Sequence, residues 1–205
     1  DTGRRAESLR EAANLGKWID RWSVAAKGAL ATETKPTSNP DFHSTSDFSP
    51  IPVVGVISPW NFPMSLSLMD AIPALLAGCA VIIKPSEVTP RFIAPLEETI
   101  AQVPELAGVL SYIRGAGAVG AALVDQVDGV VFTGSTATGR KVAAQAAARL
   151  IPFFVGLGGK DAAIVLEGSD LERAARALIT GATLGSGQQC YSIERLYVAR
   201  TQHDE

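Results

Sequence analysis

A chain of 205 residues that is 47% hydrophobic and 19% charged is long and apolar enough to bury a substantial core, which excludes disorder over most of its length. A formal charge of -3 with no Lys/Arg-rich run excludes a general attraction to nucleic-acid backbones, and no apolar run reaches the length of a membrane span. Cys79 and Cys190 are the only cysteines, too few for a disulfide framework, so a reducing cytoplasm is the expected compartment.

The N-terminal Asp1-Thr2-Gly3-Arg4-Arg5 has no apolar signal core and no initiator Met, and the chain stops a few residues after an apolar strand-like run; both ends read as truncations. Residues 4–29 place Leu9, Ala12, Ala13, Leu15, Trp18, Ile19, Trp22 and Ala25 near a helical period, which predicts an amphipathic helix. Residues 34–52 hold four prolines among Ser, Thr, Asn and Asp, and predict a loop or irregular ribbon. Short β-branched runs follow at 53–57, 81–83, 109–113, 130–132 and 162–166, alternating with helical segments near 64–77, 92–102, 118–125, 137–149 and 171–180. Strands that are apolar throughout and alternate with helices predict a doubly wound parallel α/β sheet, with ligands beyond the carboxyl ends of its strands. Pro73 and Pro95 should bend their helices or move their starts. Residues 178–185 predict a buried helix or turn, so Cys190 falls at a junction before the strand-like run 194–199, where a thiol can face a cleft.

Three stretches are candidates for phosphate or ribose contact. Gly115-Ala116-Gly117-Ala118-Val119-Gly120 has the G-x-G-x-x-G form between strand and helix, but no acidic residue follows about 20 positions on, where one would bind ribose; a tight glycine turn explains it equally. Gly134-Ser135-Thr136-Ala137-Thr138-Gly139 opens a helix, where free N–H groups and the Ser135 hydroxyl suit an anion, or where Ser135 is an ordinary cap. Lys84 and Glu87 stand just past a strand, with Pro85 setting the turn; the carboxylate suits a ribose diol and would repel a 2′-phosphate, and the alternative is an exposed ion pair. Cys190 by itself is either a nucleophile or a small buried hydrophobe.

Five stretches in one order resemble the aldehyde dehydrogenase superfamily: Pro59-Trp60-Asn61-Phe62-Pro63, Lys84-Pro85-Ser86-Glu87, Phe132-Thr133-Gly134-Ser135, Leu157-Gly158-Gly159-Lys160 and Gly187-Gln188-Gln189-Cys190. The resemblance implies oxidation of a small aldehyde with NAD, NADP being possible, by a doubly wound cofactor domain over residues 1–155 and the beginning of a catalytic domain over 156–205. Cys190 matches the nucleophile that forms a thiohemiacetal and then a thioester. Asn61 matches the amide that, with the Cys190 N–H, holds the oxyanion. Lys84 and Glu87 match ribose ligands and Ser135 a pyrophosphate contact. Ile57, Ser58, Pro59 and Trp60 match the cofactor groove, with Ser86, Phe132, Thr133, Gly134 and Leu157 in the same motifs and Gly117 near the adenine. Relatives are homo-oligomers.

Two departures qualify what the resemblance implies. Hydrolytic members carry Glu immediately before Leu-Gly-Gly-Lys, as the base that activates water, and Gly156 stands there in this chain. The family also continues well beyond the nucleophile. The chain is therefore expected to be a fragment with impaired activity, with a catalytically inactive nucleotide-binding relative and a coenzyme A-acylating enzyme as alternatives.

Overall fold

The computed structural model describes residues 1–203 and divides into two compact units, Asp1–Gly156 and a second that begins at Leu157. In the first, helix α1 (Arg5–Ala29) leads to the antiparallel pair β1 (Glu33–Pro36) and β2 (His43–Ser46). Strand β3 (Val53–Ile57), helix α2 (Pro63–Leu76) and strand β4 (Ala80–Lys84) follow, then a 3-10 turn (Pro90–Phe92), α3 (Ile93–Ile100), α4 (Pro104–Ala107) and β5 (Leu110–Tyr112). Helix α5 (Gly117–Gln126), β6 (Gly129–Gly134), α6 (Thr136–Ala148) and β7 (Phe153–Leu157) complete a five-stranded sheet in the order β5-β4-β3-β6-β7.

The β3–β4, β3–β6 and β4–β5 pairings are parallel, so this is the doubly wound α/β sheet that the alternating pattern predicts. Its strands read as continuous apolar runs because helices cover both faces: Val56 and Ile83 are fully buried, and Val81 and Val130 nearly so. Two apolar clusters result. One joins β3, β4 and β5 to α2, and the other joins β6 to α5 and α6. Chain order runs outward from β3 through β4 to β5 and then crosses back to β6, which makes the β3/β6 boundary the topological switch point. Register brings the strand ends level there, with Ile57 opposite both Lys84 and Phe132.

The two prolines act differently. Pro95 lies in the first turn of α3, where an N–H has no helical partner, and it shifts the start of that helix behind the 3-10 turn. Helix α2 instead continues through Pro73 to Leu76.

Three local expectations need correction. Residues 34–52 are not irregular throughout: they contain β2 and all of β1 but Glu33, a pair whose residues are all exposed, so no alternation of apolar and polar residues betrays it. Strand β7 was not expected, because Pro152 before it and the glycines after it mask a short edge strand of which every residue is exposed. Residues 178–183 end a helix and 184–185 enter a 3-10 turn, as expected, but the stretch is not buried: only Gly185 is, with Leu178, Gly181 and Ala182 half-buried.

The second unit pairs β8 (Asp161–Val165) in parallel with β9 (Ile193–Val198), joined by α7 (Leu171–Thr183) and a 3-10 turn (Leu184–Gly187), with a last 3-10 turn at Arg200–Gln202. Asp170 caps α7 by accepting from the Arg173 N–H at 3.0 Å. Close packing of α7 on β9 depends on Gly181, where an added Cβ would sit 2.5 Å from Ile193 Cδ1. Among the described residues no helix is long and apolar enough to cross a membrane.

Candidate active site

Four parallel strands end on one edge of the first unit's sheet, and most of the candidate residues follow from that. Ile57 closes β3 and is buried, and Ser58 next to it donates its N–H to the Lys84 carbonyl at 3.1 Å, tying the loop after β3 to the end of β4. Pro59 and Asn61 are half-buried and Trp60 is 40% exposed. Phe132, Thr133 and Gly134 end β6, and Leu157 ends β7. Gly117 opens α5 and is exposed.

Lys84 and Glu87 are paired at 3.0 Å, but not as an exposed ion pair. The lysine side chain is 5% exposed and the glutamate 55%. Lys84 has its stem against α5, where a Cβ on Gly120 would meet Lys84 Cδ at 3.9 Å. A buried ammonium requires a compensating anion, and Glu87 supplies it while keeping carboxylate surface open to solvent. The Glu87 carboxyl is held below the ordinary carboxylate range, first by its own backbone N–H and then by Lys84. Ser86 Oγ accepts from the Val88 N–H at 3.3 Å and steadies the turn. Ser58 adds a hydroxyl that is buried and has no hydrogen-bond partner.

The two glycine-rich stretches part company. Ser135 caps α6: its hydroxyl accepts from the Thr138 N–H at 3.3 Å and donates to Thr138 Oγ1 at 3.1 Å, and residues 135–138 are exposed. The cap reading is thus realised, and it leaves the first-turn N–H groups of Thr136 and Ala137 at an open helix start. Gly115 has φ +155°, and a Cβ there would lie 2.3 Å from Val119 Cγ2, so a tight turn accounts for the first glycine of its motif.

Gly156 lies in β7 beside β6, and a Cβ on it would stand 3.0 Å from Thr133 Oγ1. No carboxylate belongs to that position.

Cys190 is in the second unit and is exposed. The turn before it is unusual, since Gly185, Ser186 and Gly187 all have positive φ, Ser186 at 61° without being glycine. Such a backbone persists only where surrounding structure holds it, and here the Gln188 N–H donates to the Gly185 carbonyl and the Ser192 N–H to the Gln189 carbonyl, both at 3.2 Å. The following strand is fixed by Lys160–Glu194 at 2.6 Å and by Arg195 donating to the Lys160 carbonyl at 2.8 Å. Among the described residues no cluster of His, Cys, Asp and Glu could hold a metal.

Sequence reasoning missed the side chains that grip the loop bearing Trp60 and Asn61. Thr89 Oγ1 donates to the Trp60 carbonyl at 3.0 Å, Arg4 donates to the Asn61 carbonyl, and the Ser65 N–H donates to Glu11 at 2.8 Å. Nothing in the helical period marks Arg4 or Glu11, which read there as charges on a solvated face.

The fold and this edge define a doubly wound α/β protein with its polar groups gathered at the switch point. The aldehyde dehydrogenase family model matches residues 2–205, and the chain belongs to that family. A Mycolicibacterium smegmatis protein provisionally named succinate-semialdehyde dehydrogenase (NADP+) is 47% identical over 154 residues, 75% of this chain and 30% of that protein. Among solved structures, the provisionally assigned aldehyde dehydrogenase PutA from Anabaena variabilis matches with a TM-score of 0.97 and 52% identity, over 100% of this chain and 44% of that one. The Mycobacterium tuberculosis aldehyde dehydrogenase complexed with NAD+ matches with a TM-score of 0.82 and 36% identity, over 91% of this chain and 39% of that one. The chain therefore spans less than half the length of these relatives.

Proposed function

We propose that this chain carries the cofactor-binding edge and the nucleophilic thiol of an enzyme that oxidises a small aldehyde with NAD or NADP. The observation that carries the reading is the buried Lys84 ammonium, held by a half-exposed Glu87 beside the partnerless Ser58 hydroxyl at the switch point of a family member's sheet. That set of donors and acceptors fits the diol of an adenosine ribose, and the open first turn of α6 fits a pyrophosphate. The M. smegmatis relative bears NADP+ in its name and the M. tuberculosis structure holds NAD+, so either dinucleotide is a candidate. The negative charge of Glu87 disfavours a 2′-phosphate and tilts the choice to NAD. Residues 1–155 are assigned to the cofactor domain and 156–205 to the beginning of the catalytic domain.

In this reading the Cys190 thiolate attacks the aldehyde carbon and forms a thiohemiacetal. The resemblance gives the Asn61 side-chain amide the role of a donor to the former carbonyl oxygen, whose charge exists only in the tetrahedral state, so a fixed neutral donor stabilises it selectively. When bound, the nicotinamide supplies a hydride acceptor. A thioester on Cys190 is left.

Gly156 favours a second reading for the last step. Glycine cannot take a proton from water, so hydrolysis of the thioester is slow and an external thiol of the coenzyme A type is the more effective acceptor. Stopped-flow mixing with acetaldehyde and NAD+ tests both readings. The expected result is a burst of about one NADH per chain followed by slow turnover, accelerated by coenzyme A. No burst, together with no alkylation of Cys190 by iodoacetamide, would leave an inactive nucleotide-binding relative and overturn the proposal.

A further inference from the structure

The loop between β3 and α2 is held by side chains that come from far along the chain, and that arrangement assigns a role to helix α1. Helix α2 begins without a side-chain cap of its own: Phe62 at its N-cap position makes no capping hydrogen bond, and Pro63 follows it. The cap comes from α1, 54 residues earlier, where the Glu11 carboxylate accepts from the Ser65 N–H at 2.8 Å. Glu11 is 6% exposed, so a charge has been buried to make this contact, and the positive end of α2 is what compensates it. One residue before the helix cap, the Asn61 carbonyl accepts from the Arg4 guanidinium, which also lies 4.7 Å from the centroid of the Phe62 ring. Arg4 is 8% exposed. On the other flank the buried Thr89 hydroxyl donates to the Trp60 carbonyl at 3.0 Å.

Consecutive carbonyls at Trp60 and Asn61 and the first-turn N–H at Ser65 are thus each gripped by a buried side chain from another element. A surface loop needs no such expenditure of buried charge, since water would satisfy the same groups. We propose that Arg4, Glu11 and Thr89 are positioning residues, which fix the backbone of Trp60 and Asn61 so that the Asn61 amide is preorganised. The role assigned to that amide rests on the aldehyde chemistry proposed above; the grip on the loop does not. An oxyanion donor is effective only when its direction is set before charge develops, and a loop free to rotate would spend that advantage on reorganisation.

Amide hydrogen exchange and NADH-burst kinetics, measured on Glu11→Ala, Glu11→Gln, Arg4→Lys and the unaltered chain, test the proposal. Glu11→Ala should speed exchange at Ser65 and Leu66 by about tenfold, while Val56 and Ile83 keep their protection. It should slow the burst with acetaldehyde by a similar factor and leave the NAD+ dissociation constant within about twofold. Glu11→Gln keeps an oxygen acceptor and should restore both readouts to within about threefold. Arg4→Lys loses the planar fork and should shift the side-chain amide resonance of Asn61. Exchange at Ser65 that does not change, or that rises equally at Val56 and Ile83, overturns the proposal, as does a Glu11→Gln variant no better than Glu11→Ala. If the unaltered chain gives no burst, the aldehyde chemistry fails, and exchange alone then decides whether α1 holds the loop.

Discussion

Strands β3 and β4 of the first unit and β8 and β9 of the second all carry apolar β-branched residues, interrupted in the second unit by Asp161, Glu194 and Arg195, and they meet different surroundings. Val56 and Ile83 are fully buried between helices, whereas Ile164 is 71% exposed, Leu196 51% and Tyr197 53%. In the first unit an apolar strand records burial on both faces. In the second the apolar residues record only that one face, carrying Val165, is covered by the described residues. Apolar content therefore predicts where a strand runs but not how much stability it contributes, because that depends on what packs against it.

The sharpest way to separate the two regions is to ask which one carries chemistry and which carries stability. Cys190→Ala, in the exposed turn of the second unit, should abolish the aldehyde-dependent NADH burst and leave the melting temperature unchanged, since an exposed thiol contributes little packing. A residual burst of normal size would remove Cys190 from its role. Conversely, Val56→Ala should destabilise the protein by about 2 kcal/mol in urea unfolding, while Ile164→Ala should stay within about 0.5 kcal/mol. Equal effects at the two positions would show that the second unit buries Ile164 in solution.

The cofactor edge gives a smaller, more local contrast. Glu87→Gln removes a half-exposed carboxylate but leaves Lys84 buried without its anion, so it should weaken NAD+ binding by about tenfold, read by titration calorimetry. It should also narrow the preference against NADP+. A variant that binds both dinucleotides as the unaltered chain does would take Glu87 out of the ribose site.

Asp70, on α2, supplies an effect confined to one range of pH, with a defined sign. Burial pushes its carboxyl up to about 6, so the folded state holds the proton more tightly than the unfolded chain. Its contribution is present below the ordinary aspartate range and is lost as pH rises toward about 6. Asp70→Asn should therefore raise stability by about 2 kcal/mol at pH 8 and by almost nothing at pH 3. A pH-independent difference would mean that the shift in Asp70 is not what couples this helix to pH.

Where the candidate residues stand in the fold was largely legible in the sequence. Lys84, Glu87, Ser135 and the loop 57–61 stand at the ends of strands that the apolar runs had marked, and ligand positions in such sheets follow from strand ends. The β1–β2 pair escaped because both of its faces are wet, and β7 because a five-residue edge strand between proline and glycines has no periodicity to show. Whether Lys84 was a surface cation or a buried one also could not be read, since a lysine stem looks the same in sequence either way.

What the order of residues determined by itself is the alternating α/β plan and the chemistry-bearing motifs, because periodicity and turn chemistry are local properties of the chain. Tertiary structure alone decided that Glu11 caps a helix beginning 52 positions later, that Arg4 holds the Asn61 carbonyl, and that Lys84 is buried with Glu87 as its anion. The physical reason is that a hydrogen bond between distant residues leaves no pattern along the chain: it is specified by packing, which brings a buried charge to the one backbone group able to compensate it.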